Sequence, residues 1–117
     1  MAIMTLSEFR NVTHALVERL PKDLFTNLNG GITVQPNRAG DARNDRLTLG
    51  EYIEDAVMSR SIVLYYGSFR ELFRDDSLSV WSEEIEETVL HELRHHVEAL
   101  AGLDDLSREE ELDPDAY

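Results

Sequence analysis

Trp81, Ile85, Val89, Leu93, Val97 and Leu100 recur at intervals of three and four residues along the last third of the chain. Residues of an α-helix turn by about 100° each, so this spacing collects apolar side chains on one stripe. The run predicts a helix over 80–101. Glu83, Glu84, Glu86 and Glu87 crowd its first turns, where the positive end of the helix dipole favours them. Ser77 or Ser79 opens the element, and Gly102 reads as its terminator. A long helix with one apolar stripe must lay that stripe on a second layer.

The rest of the chain supplies that layer. Phe9, Val12, Leu16 and Leu20 mark an N-terminal helix, capped by Thr5 or Ser7 and stopped by Pro21. Leu24, Phe25 and Leu28 suggest one further short turn. Asn29-Gly30-Gly31 is a turn signal, and Ile32 to Gln35 alternates as a strand ahead of Pro36. Residues 36–46 offer nothing to a core and read as an exposed loop. Leu47 to Tyr52 is a short strand or turn, and 51–59 fits neither pattern clearly. Ser61 to Tyr66, β-branched and aromatic, is the best strand. Phe69, Leu72 and Phe73 then point inward from a short helix. The expectation is an α+β fold: a small mixed sheet of about three strands, packed against the N-terminal helix and the long helix. One domain is expected over 1–106, with an acidic solvated tail over 107–117.

Charge and composition exclude several roles. The chain carries 24 acids against 11 bases, a net charge of −13. Phosphate backbones and anionic membranes repel such a surface, so neither a nucleic-acid nor a membrane partner is expected. Cysteine is absent, which removes disulfides, thiolate metal sites and thiol catalysis. The longest apolar run, Ile62 to Tyr66, is far below the roughly 20 residues of a membrane span. The first ten residues show no secretory pattern. A cytoplasmic protein is expected, its oligomeric state open, with a dimer plausible.

The long helix carries His91-Glu92-Leu93-Arg94-His95-His96, an H-E-x-x-H pattern. Histidines four apart share one side of a helix, about 6 Å apart in rise, and suit one Zn²⁺ held at about 2.0–2.1 Å. Glu92, about 100° round the helix from His91, can reach a water on the metal. Zinc acidifies that water, and the carboxylate takes its proton and later returns it to a leaving amine. Val89 and Leu93 lie on a different face from the two histidines, as does Val97. His96 points about 100° away from His95 and is expected to pack on the sheet or bond to backbone.

A catalytic zinc usually takes three protein ligands. His14 is 77 residues before His91 and reads as a surface histidine. Glu98 has the right angle, but its rise is about 10 Å from His91, which suits contact with His95 better. Asp104 and Asp105 would reach the metal if the chain reverses at Gly102. Asp105 is the preferred third ligand over Glu98.

These residues resemble the minimal zincin family, small bacterial zincin-like metallopeptidase proteins. The resemblance runs over about residues 6–106. It covers a first helix ending near Pro21, a strand at Ile32–Gln35, the segment Leu49-Gly50-Glu51-Tyr52, a strand and short helix over Ile62–Phe73, and the closing Val89-Leu90-His91-Glu92-Leu93-Arg94-His95-His96. Only the histidine motif is specific. The family pattern continues as H-E-x-x-H-x-x-G-x-x-D, with the Asp as third ligand. Here Glu98 replaces that Gly, and Gly102-Leu103-Asp104-Asp105 brings a Gly-x-x-Asp four residues late. The resemblance implies a zinc-dependent peptidase-like fold, and no known substrate. The leading expectation is a zinc-dependent hydrolase of a peptide or protein substrate, in which His91 and His95 bind the metal, Glu92 is the general base, and Asp105 or Glu98 completes or supports the site. A zincin-fold metal-binding or interaction module without turnover is the alternative.

Overall fold

The computed structural model describes residues 3–41, 46–55 and 59–104. Helix α1 spans Leu6–Arg19. Its start is fixed by a reciprocal cap: the Glu8 N–H donates to Thr5 Oγ1 (3.1 Å), and the Thr5 N–H donates to Glu8 Oε1 (2.8 Å). A short 3₁₀ turn, Lys22–Phe25, follows Pro21. Strand β1 is Gly31–Gln35, β2 Ala39–Asp41, β3 Arg46–Thr48, β4 Gly50–Glu54 and β5 Arg60–Tyr65. Helix α2 is Tyr66–Phe73 and helix α3 Leu78–Asp104. The fold is α+β, with an N-terminal helix, a long C-terminal helix and a mixed three-stranded sheet. No helix among the described residues is long and apolar enough to cross a membrane.

The sheet order is β1-β5-β4. The β-branched strand β5 takes the centre, parallel to β1 and antiparallel to β4. Its Ile62 and Leu64 are fully buried. Helix α3 lies across β4 and β5, and α1 packs on α3. Phe9 from α1 joins the layers, edge-on to Phe69 (4.9 Å between ring centroids) and to Trp81 (6.5 Å).

Four local expectations need correction. Residues 36–46 are not simply loop, because β2 and β3 form a two-stranded antiparallel ladder. No apolar alternation announces it. It is held from outside: Ser68 Oγ accepts the Ala39 N–H and donates to the Ala39 carbonyl, and Arg38 grips both oxygens of Glu71 at 2.8 Å. The central strand ends at Tyr65, since Tyr66 already opens α2. Leu72 faces solvent, 47% exposed, while Phe69 takes the core position. The fourth is Gly102: α3 continues through it to Asp104.

Val97 is also exposed, although Trp81, Ile85, Val89 and Leu93 are buried. A four-residue step advances a side chain by about 400°, so a strict four-residue series drifts by about 40° per step. From Trp81 to Val97 the drift reaches about 160°, which carries Val97 off the core face. His96 lies only about 60° from Trp81, and it is the residue that turns inward, fully buried.

Candidate metal centre

The same helical drift places the motif. His91 and His95 sit on the exposed flank of α3, whereas Glu92 faces the sheet and is only 7% exposed. The Nε2 atoms of His91 and His95 are 3.2 Å apart, and their rings stand perpendicular with centroids 4.7 Å apart. Two ligands at about 2.0–2.1 Å with a tetrahedral angle between them would be separated by about 3.3 Å. The pair therefore fits a zinc ion through Nε2 of each ring. Among the described residues, no group of three His, Cys, Asp or Glu side chains fits a metal ion. Asp105, the expected third ligand, lies outside the described residues, as does the tail 107–117. The backbone of Asp104 is still helical, thirteen residues on from His91 and about 20 Å along the axis, so no reversal at Gly102 returns it to the histidines.

Glu92 meets the edge strand. Its carboxylate accepts a hydrogen bond from the Tyr52 backbone N–H. Burial pushes its pKa above the ordinary glutamate value; positive charge on His91 and His95 and the Tyr52 bond work against the rise, and Glu51 adds to it. Glu92 and His91 also line a groove of about 330 Å³ between residues 47–50 and α3, with Thr88 beside them and Glu84 and Glu87 along one wall. The Glu84 carboxyl is pushed up by its partial burial, then by the neighbouring charges of Glu87, Glu83 and Asp76. Gly50 lets the strand come this close, since a Cβ there would stand 2.7 Å from Thr88 Cγ2.

The remaining candidates fall elsewhere. Glu98 stands 4.0 Å from His95 Nδ1 through one oxygen and 3.3 Å from Arg94 Nε through the other. It touches the outer side of a candidate ligand. His14 is exposed on α1 and lines a separate groove against β1. His96 is bonded on both ring nitrogens, to the Thr26 carbonyl at 2.7 Å and the Tyr52 hydroxyl at 2.8 Å. Sequence reasoning did not single out Tyr52 or Gly50 for the site. Their sole signal was membership of the Leu49-Gly50-Glu51-Tyr52 segment, whose strand assignment was open.

The model of a family described as zincin-like metallopeptidase matches residues 11–115. A solved structure, a conserved hypothetical protein from Thermo thermophilus, is similar at 36% identity with a TM-score of 0.72. The alignment covers 84% of this chain and 98% of that one. No curated protein matches the sequence.

Proposed function

The chain belongs to the zincin-like metallopeptidase family, and from that premise we propose that it is a zinc-dependent hydrolase of peptide bonds. One observation carries the reading: the 3.2 Å Nε2 separation of His91 and His95, on the helix that also presents Glu92. His91 and His95 would hold the ion. Asp105, which lies outside the described residues, is the proposed third ligand. Zinc, when bound, supplies Lewis acidity and lowers the pKa of a water to about 7. Glu92 takes the proton of the attacking water and passes it to the leaving amine. Burial raises its pKa above the ordinary glutamate value, the direction that favours its accepting that proton.

The edge strand supports a peptide as substrate. Leu49 O accepts the Tyr65 N–H, and Asp55 N–H donates to Ser59 O. This phase of the ladder turns the odd-numbered backbone groups of β4 toward β5 and those of Gly50, Tyr52 and Glu54 away from the sheet. An extended peptide laid there would meet the main-chain groups of Gly50 and Glu54 and the Tyr52 carbonyl, the Tyr52 N–H being given to Glu92. The Glu84 and Glu87 wall favours basic or neutral peptides over acidic ones.

A second reading is a zinc-binding module without turnover. It is favoured by the straight run of α3 through Gly102, which carries Asp104 away from the histidines. Zinc content and cleavage of a peptide library, measured for wild type and Glu92→Gln, separate the two. Hydrolysis requires that the variant keep its zinc and lose turnover by about 10²–10⁴-fold. Undiminished cleavage by that variant removes Glu92 as base. Stoichiometric zinc without cleavage of any peptide by the wild type selects the binding module.

A further inference from the structure

His96 is the residue after a candidate zinc ligand, yet it is fully buried. Its Nε2 faces a carbonyl, that of Thr26, which only accepts. Nε2 therefore carries the proton, and in the neutral ring Nδ1 is left as an acceptor for the Tyr52 hydroxyl. A single imidazole thus ties three pieces of chain together: the end of the 3₁₀ turn at Thr26, helix α3, and the edge strand β4. Edge strands are secured by hydrogen bonds on one side only. For β4 the second anchor is the Tyr52 side chain, whose ring also packs on His96 with centroids 5.4 Å apart. The backbone N–H of the same tyrosine reaches Glu92, one helical turn before His96.

We propose that His96 and Tyr52 are positioning residues: the buried imidazole fixes β4 against α3 so that the Tyr52 N–H orients the Glu92 carboxylate. This rests on the reading of Glu92 as general base. The clamp itself is independent of that reading and has a readout of its own. The two bonds divide the work. The Thr26 carbonyl sets the tautomer and ring plane of His96, and the ring then sets the height of Tyr52 along α3. Loss of the tyrosine hydroxyl, which also takes a hydrogen bond from the Arg60 side chain, would leave ring packing and cross-strand pairing with Ile62 in place but free the strand edge to move away from Glu92.

The test uses the full chain loaded with zinc. Tyr52→Phe removes only the hydroxyl. Tyr66→Phe is the control, since the Tyr66 hydroxyl donates to the Met4 carbonyl at 2.6 Å, remote from the motif in the fold's aromatic core. Amide hydrogen exchange at Tyr52 and Ile62 and steady-state cleavage of a basic peptide are measured for each. In Tyr52→Phe the amide at position 52 should exchange about tenfold faster with Ile62 unchanged. In the same variant kcat should fall about tenfold with KM and zinc content held. Tyr66→Phe should show neither effect. His96→Gln, which keeps a donor for Thr26 but lacks the ring acceptor, should reproduce Tyr52→Phe. Unchanged exchange at position 52 in Tyr52→Phe overturns the clamp, and faster exchange with an unchanged kcat overturns its role in positioning Glu92. Full activity of Glu92→Gln would sink the general base instead, and the exchange rates would still decide whether the clamp exists.

Discussion

The Glu98 carboxylate stands 4.0 Å from Nδ1 of His95, on the side of the ring turned away from His91. A carboxylate there favours a proton on Nδ1 and leaves Nε2 free to bind an ion. Glu98→Ala is expected to weaken zinc binding about tenfold, measured by competition with a chromogenic chelator. The accompanying ion pair to Arg94 is exposed, so unfolding of the zinc-free protein should change by no more than about 0.5 kcal/mol. Unaltered affinity would make Glu98 a surface residue.

Glu92 gives the zinc-free protein a pH dependence of definite sign. Burial raises its pKa in the folded chain, so between the ordinary glutamate value and that raised value the folded state holds the proton more often. Stability from this group is complete below the ordinary value and is lost as pH rises through the folded one. Glu92→Gln removes the loss. Urea unfolding of zinc-free protein should show the variant more stable than wild type at neutral pH and the difference shrinking in acid. A constant difference across pH would contradict this.

Gly50 sets the width of the groove. The Cβ of an alanine would sit 2.7 Å from Thr88 Cγ2 and 3.2 Å from Leu64 Cδ2. The strand has to shift outward to relieve the clash, at about 1–3 kcal/mol. Gly50→Ala should therefore lower both thermal stability and the affinity for peptide substrates. An alanine variant matching wild type in both would mean that β4 adjusts freely.

The long helix was legible because its apolar period is strong, and so was the central strand with its β-branched run. H-E-x-x-H announced the histidine pair for the same reason: a helix converts a fixed spacing into a fixed geometry. What escaped were particular local details and the partners that long-range contacts select. The pair β2–β3 carries no apolar alternation and depends on Ser68, 29 residues after Ala39. Gly102 reads as a stop because glycine is permissive at helix ends, but permissiveness does not force an end. The partners of His96, Thr26 and Tyr52, are 70 and 44 residues away, and nothing local marks them.

The topology also has a kinetic consequence. Strands β4 and β5 are neighbours in sequence and pair antiparallel, whereas β1 joins β5 in parallel register, Gly31 opposite Ser61. Closing the shorter loop sacrifices less chain entropy. The hairpin β4–β5 with α3 over it is expected to form first, and β1 with α1 to dock afterwards. Pulse labelling during refolding should then protect Val63 before Thr33; the reverse order would refute this sequence of events. On this path the stretch bearing the histidines takes shape before the N-terminal third of the chain has arrived. Zinc offered during refolding would find its first partners on a half-built molecule.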